Sequence, residues 1–464
     1  MSIVQPDATG PGVDDASLQE PVDSFSTEFD IPITIPRHPR AAALYKDADP
    51  SKKMSDITYA EKTHFDQSYL DVMYRSFFNV DICNHTTEFS ALRNNIRMYA
   101  LYRLIQAKKI VLTSFDTSAS MTNLFINKDE CVIVPKEGAF VLTFNENTDV
   151  VLLISKYSRS IGWGYIGKNF DEFNVLEKMI SDDIKLHNLY LNKVFDQSGE
   201  FISLPDVTFD DIYLDQDLRD EIQANIINYF DPKKFELRRK NGVPTKRGII
   251  FAGDPGTGKT FLSRVLANTL NTTFMVVTSL QGAGELEFCM DFMKQFPNSI
   301  ILFEDIDIYI PDRNTGAPIV SAMLNGLDGI SVNENLLVLC TTNEPSVLDR
   351  AINDRPGRFD RTFKFEAPDK VLKTVMLKSF CSKNDCTAVD FDELISKIPV
   401  AHTGAHLKEL YITAVTIALD TNQLDENSIA KLSTEIFIDA LKKTSRNKDI
   451  KRRTGFERDD DDDE

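Results

Sequence analysis

Residues Ile249–Thr260 read IIFAGDPGTGKT. The apolar run predicts a strand, and Gly253 to Thr260 then fit the pattern G-x-x-x-x-G-K-T. The ten residues that follow, FLSRVLANTL, carry helical apolar spacing. Glycines let such a loop wrap a triphosphate with its backbone N–H groups turned inward, and the helix N-terminus adds partial positive charge. Lys259 is placed to reach the β- and γ-phosphates, and the Thr260 hydroxyl to ligate Mg²⁺. A strand before and a helix after separate this from a glycine turn in a surface loop. The sequence predicts a site for ATP or GTP formed by Asp254, Pro255, Gly256, Thr257, Gly258, Lys259, Thr260 and Phe261.

Downstream, the apolar run Ile300–Phe303 ends in Glu304, Asp305, Ile306 and Asp307. Carboxylates at the carboxyl end of a buried strand sit where α/β sheets bind ligands. One acid is expected to hold Mg²⁺ and the next to orient the attacking water. A second apolar run, Leu336–Thr341, delivers Asn343, whose amide can bond a γ-phosphate or the lytic water. Arg355, Arg358 and Arg361 then fall within seven residues around Pro356-Gly357. Lys259 already serves the chain's own triphosphate, so these arginines are expected to meet a neighbouring subunit's γ-phosphate. By analogy with GTPases such a finger contributes ~10³–10⁵ in rate.

Taken together these segments closely resemble the AAA proteins, ring-forming ATPases of the AAA+ class. The resemblance runs from Val207–Ile212 through the phosphate loop, Leu324–Gly329, Thr341–Asn343 and Arg355–Arg361 to Thr403–Leu407, a little over half the chain. It implies an α/β fold: a P-loop core with a parallel sheet, an α-helical lid, ATP and Mg²⁺ bound between subunits, and a homo-hexameric ring. It further implies Asn343 as a sensor of the γ-phosphate and Arg355 and Arg358 as fingers acting in trans, with Arg361 structural. Ile212 falls where the family lines its adenine pocket, and Gly404 and Ala405 where its lid approaches the nucleotide.

Two positions depart from the family. Its usual acidic order is Asp then Glu, whereas here Glu304 takes the Mg²⁺ position beside Thr260 and Asp305 the water-activating one. The branch that translocates the folded mitochondrial Rieske protein carries a similar Glu-Asp order; which acid is the base stays open. Threading members also place an aromatic-apolar-Gly trio in the loop after the second strand, where this chain has Ser279–Leu286 without an aromatic at that place. Contacts to a threaded polypeptide would be weak there. A loose zinc spacing, Cys381 and Cys386 with His402 and His406, is set aside because those residues also fit the lid-helix pattern.

A formal charge of −19 over 464 residues disfavours general binding to nucleic acid. Apolar content of 42% and charged content of 27% are those of a soluble globular protein. Six cysteines without C-x-x-C predict a reducing, cytoplasmic setting, and no apolar run approaches the ~20 residues of a membrane span. The domain reading is a disordered leader (1–56), an α+β N-terminal adaptor or substrate domain (57–203), the α/β ATPase core (204–368), an α-helical lid (369–444) and a charged tail (445–464). Within the N-terminal part, helices are predicted over 89–107 and 170–188 and strands over 109–115, 131–135, 140–144 and 150–155. The Gly162–Tyr165 stretch reads as packing more than as a binding feature. The functional expectation is an ATPase that remodels a protein client, of unknown identity. The alternatives are a nucleotide-gated scaffold with slow hydrolysis and, disfavoured by charge, a DNA-handling motor.

Overall fold

Strand and helix alternate in the phosphate-loop region because short apolar runs there give way to helix-spaced apolar residues, as Ile249–Ala252 does to Phe261–Leu270. A computed structural model describes residues 83–115, 119–145, 148–156, 160–243, 247–309, 319, 322–323, 326–327, 335–344 and 359–453. The leader (1–56) lies outside them. The chain divides into two compact units. The described part of the first is 83–90 with 101–124 and 131–180; the second comprises 91–100, 125–130 and everything from 181 on.

The first unit is built on an antiparallel sheet of β1 (Cys83–Phe89), β2 (Val111–Ser114), β3 (Ser120–Phe125), β4 (Cys131–Phe144), β5 (Thr148–Lys156) and β6 (Ile161–Gly167). The order is β1-β6-β5-β4-β2, with β3 also paired to β4. Two helices accompany it in sequence, α1 (Ala91–Gln106) and α2 (Phe170–Leu186). The two strands expected at 131–135 and 140–144 are one 14-residue strand. Lys136, Glu137 and Gly138 read as a break, yet Gly138 keeps its place in the ladder opposite Ile154 with φ of 113°. Trp163 and Tyr165 are fully buried in β6, their rings 6.2 Å apart and edge-on. The Gly-Trp-Gly-Tyr stretch is therefore sheet core, and even a Cβ at Gly164 would meet Leu153 at an ordinary 3.4 Å.

The second unit holds a parallel sheet of β7 (Val194–Asp196), β8 (Arg247–Gly253), β9 (Thr273–Val277), β10 (Asn298–Phe303), β11 (Asn335–Thr342) and β12 (Phe359–Phe365), in the order β12-β8-β11-β10-β9-β7. Its outer strand β7 precedes residue 204, the expected start of the core, and pairs in parallel with β9. Helices α3 (Gln216–Asn225), α4 (Pro232–Lys240), α5 (Lys259–Thr269) and α6 (Ala283–Met293) belong to this layer. Ile222, Phe251, Leu262, Leu266, Leu302 and Phe363 share one buried core. Burying side chains of this size gives roughly 1.5–3 kcal/mol each before entropy is counted.

Beyond the sheet come α7 (Lys370–Phe380), α8 (Phe391–Lys397), α9 (Gly404–Asp420) and α10 (Thr434–Arg453), with a short parallel pair β13 (Asp385–Ala388) and β14 (Lys431–Ser433). Asp369 and Asp390 cap α7 and α8 through their carboxylates. These helices have their own core around Leu377, Leu394, Leu407, Leu410 and Phe437. The last helix runs to Arg453, past the expected end near 443, and 454–464 lie outside the described residues.

Candidate nucleotide site

Strand β8, next to the edge strand β12 and paired on its other side with β11, is buried through its middle, and its carboxyl end lies at the rim of the sheet. There the chain must turn sharply into α5. Gly253, Gly256 and Gly258 take φ of 153°, 79° and 107°, conformations that side chains rarely adopt. Gly253 also faces the Phe365 carbonyl so closely that a Cβ would lie 2.1 Å from its oxygen. Gly258 then caps α5, whose first residue is Lys259.

Lys259 is buried, 6% exposed, at the mouth of this helix. Its ammonium donates to the carbonyls of Gly253 (2.5 Å) and Asp254 (3.0 Å) and to Oδ1 of Asn343 (2.8 Å). Burial pulls its pKa below the ordinary lysine value, while Asp305, Asp307 and Asp254 pull it back up. Asn343 lies just past β11, and its Nδ2 donates to Oδ1 of Asp305 at 3.4 Å. Lys259, the Asn343 amide and Asp305 are thus joined in one chain of contacts.

On the other side of the helix mouth Thr260 lies close enough to Glu304 for its hydroxyl to favour the charged carboxyl. Burial, and then Asp305 beside it, push the Glu304 carboxyl above the usual carboxylate range; Arg264 and the Thr260 hydroxyl partly offset this. A hydroxyl and a desolvated carboxylate side by side are hard oxygen donors of the kind Mg²⁺ takes alongside phosphate oxygens, and a cation would relieve the charge crowding. Nucleotide and Mg²⁺ therefore fit the residues present, Thr260 and Glu304 being the side chains that could hold the metal.

Gly404 and Ala405 stand at the start of α9, and the Ala405 N–H donates to the Gly256 carbonyl at 3.2 Å. A Cβ on Gly256 would lie 2.7 Å from the Ala405 Cβ, so this approach needs glycine. Ile212 is buried in the core cluster that also contains Leu262, and Phe261 packs against that cluster. Thr257 folds its hydroxyl back onto the Asp254 carbonyl at 2.8 Å. Arg355 and Arg358 lie outside the described residues, as do most of 324–329. Cys381 and Cys386 neighbour each other in the lid, where Cys386 Sγ lies 3.9 Å from the Cys381 carbonyl. His402 and His406 stack on one another, and His406 Nδ1 accepts the Thr403 N–H at 3.1 Å, closing the cap of α9.

Three residues in this network were not named as site residues from sequence. Asp307 Oδ1 accepts the backbone N–H of Asn343 at 3.1 Å. Thr341, fully buried, accepts the backbone N–H of Asp305 at 2.8 Å. Arg264 lies one helical turn beyond Thr260 and acts on Glu304. Asp307 and Thr341 stood in the quoted motifs, but their partners are set by strand register, which no spacing along one strand reveals.

Comparison with known proteins adds an independent line. Residues 249–367 match the family described as "ATPase family associated with various cellular activities (AAA)". The chain is 31% identical to nuclear valosin-containing protein-like of Mus musculus, over 55% of this chain and 32% of that protein. It is 30% identical to ATP-dependent zinc metalloprotease FtsH 2 of Salinibacter ruber (46% and 33% of the two chains) and to FtsH 2 of a Thermoanaerobacter species (51% and 47%). The chain thus spans between a third and a half of the length of these relatives.

Proposed function

Because the chain carries an AAA ATPase domain, we propose that it hydrolyses ATP as a cytoplasmic homo-hexameric ring and couples hydrolysis to remodelling a protein client. The observation that carries this is the linkage Lys259–Asn343–Asp305, at the mouth of the helix that begins with Lys259 and Thr260. It supports a reading in which a phosphate-binding cation, a γ-phosphate sensor and a water-orienting carboxylate lie on one side and a metal-binding pair on the other. Mg²⁺ bound with ATP supplies charge neutralisation at the phosphates.

In this reading Lys259 and the Gly256–Gly258 N–H groups bind the triphosphate. Ile212 borders the base, and Gly404 and Ala405 bring the lid to the phosphate loop. Thr260 and Glu304 hold the metal, and Asp305 accepts a hydrogen bond from the attacking water. Asn343 couples Asp305 to the cation. Arg355 and Arg358 stabilise charge in the neighbouring subunit's site.

The loop after β9 bears on the mode of client engagement. Gln197 donates from Nε2 to Ser279 Oγ at 2.9 Å, and Tyr309 donates to the Thr278 carbonyl at 2.8 Å. The stem of the loop is thus braced, and Ser279 to Gly282 offer no aromatic for gripping a threaded chain. This favours moving or rearranging a folded client over processive unfolding. It also keeps the nucleotide-gated scaffold as a second reading.

Steady-state ATP hydrolysis per subunit, followed against protein concentration for wild type and Arg355→Ala, tests the proposal. A cooperative rise that the variant loses while still binding ATP is expected, and Lys259→Ala should abolish binding. Turnover intact in Arg355→Ala would refute shared sites. Negligible turnover with ATP bound in both would select the scaffold.

A further inference from the structure

The geometry points to Thr341 as a positioning residue for the reaction: its buried hydroxyl holds Asp305 in a left-handed backbone conformation and so aims the carboxylate that orients the attacking water. This rests on the ATPase reading above. Asp305 has φ of 44° and is among the few residues other than glycine with positive φ in the described structure. Both of its backbone groups are tied. Its N–H donates to Thr341 Oγ1 at 2.8 Å, and its carbonyl accepts the Ile308 N–H at 3.0 Å, opening a short helical turn over Ile306–Tyr309.

The anchor itself is rigid. Thr341 is fully buried in β11, opposite Phe251 of β8 in the parallel ladder, so its hydroxyl position is set by the central sheet. Two residues further on, Asn343 donates its N–H to Asp307 Oδ1 and its Nδ2 to Asp305 Oδ1. The ends of β10 and β11 are therefore cross-linked in both directions, with Asp305 in the centre.

This accounts for the inverted acidic order. Aspartate, with its short polar side chain, visits the left-handed region more readily than most residues, glutamate included. A left-handed turn at 305 swings the Cβ to a different side of the strand end than an extended residue would. The shorter acid is thus the one suited to this backbone, and its reach is set by the turn that Thr341 fixes. Thr341 touches neither nucleotide nor water in this account; it acts through Asp305.

The test compares wild type, Thr341→Val, Thr341→Ser and Thr341→Ala in the full-length chain. kcat and KM for ATP are measured alongside ADP affinity by titration and amide hydrogen exchange of the segment containing Asp305 without nucleotide. Valine keeps the buried volume and removes the acceptor. kcat should fall on the order of tenfold to a hundredfold, with KM and ADP affinity within about twofold. Exchange at Asp305 should accelerate, and serine should restore both turnover and protection. Alanine reports the same comparison if the valine variant does not fold. Unchanged kcat in an active Thr341→Val, unchanged exchange, or a serine variant as impaired as valine would each overturn the role. A wild type that binds ATP without turning it over would overturn the ATPase reading and this role with it, which an active wild type distinguishes.

Discussion

Gly253 and Gly258 belong to one motif but are required for different reasons, so alanine at each should cost different amounts. At Gly258 a Cβ meets nothing within 4 Å, and the penalty is the φ of 107° alone, about 1–3 kcal/mol. At Gly253 the same kind of conformational penalty applies at φ of 153°, and the added Cβ falls 2.1 Å from the Phe365 carbonyl oxygen where ordinary contact begins near 3.4 Å. The obstacle is backbone, not a side chain that can swing away. Phe365 is the register partner of Gly253, so β8 and β12 must part by more than an ångström at the edge of the site. Forced overpacking adds roughly 1–3 kcal/mol, taking Gly253→Ala to about 2–6 kcal/mol in all. For a domain of this size each kcal/mol lowers the melting temperature by roughly 2–4 °C. Calorimetry of the nucleotide-free variants should therefore place Gly253→Ala several degrees below Gly258→Ala. Equal melting temperatures, or the reverse order, would refute the argument that strand contact decides Gly253.

Two further variants probe the charges. Burial raises the Glu304 carboxyl above its ordinary value of 4.5, so the folded state holds a proton that the unfolded state releases, and stability falls as pH rises through that window. Glu304→Gln should leave the melting temperature near wild type below about pH 4.5 and raise it increasingly above; a gain independent of pH would contradict this. Asn343→Ala removes the side chain that occupies one donor of Lys259, so ADP affinity should hold or rise by up to roughly fivefold while ATP turnover falls, as isothermal titration beside a turnover assay would read. A marked loss of ADP affinity would count against it.

How far this was legible from sequence depended on how local each signal was. Strands β8, β10 and β11 and the phosphate loop were placed within a few residues because each is an apolar run with its own turn chemistry. β1 (CNHTTEF) escaped notice because its residues are mostly polar, and β7 because three residues carry no periodicity; both are strands through pairing with distant partners. Asp254 to Thr260, Glu304, Asp305 and Asn343 were readable as a set because phosphate and metal binding dictate residue types at short spacing. The tie from Thr341 to Asp305 was not, since it depends on β11 lying beside β10 with Phe303 opposite Cys340. The sign of the φ at residue 305 has no sequence signature beyond its being aspartate.

The state of Lys259 bears on how binding could be coupled to the rest of the molecule. An ammonium has three donors, and all three are engaged, two by loop carbonyls and one by Asn343. A phosphate ligand must displace at least one of them. The carbonyls of Gly253 and Asp254 belong to backbone that is fixed by the β8–β12 ladder and by the turn itself. The Asn343 amide is the one acceptor that can rotate away at the cost of a side-chain torsion. Its backbone stays fixed by Asp307 while its Nδ2 leads to Asp305, so freeing its oxygen also changes what the Asp305 carboxylate can accept. In the proposed reading, filling the phosphate site and readying the water-orienting acid are then the same event, carried by one amide. Because Asp305 is held from behind by Thr341, that event moves the side chain and leaves the strand ends in register.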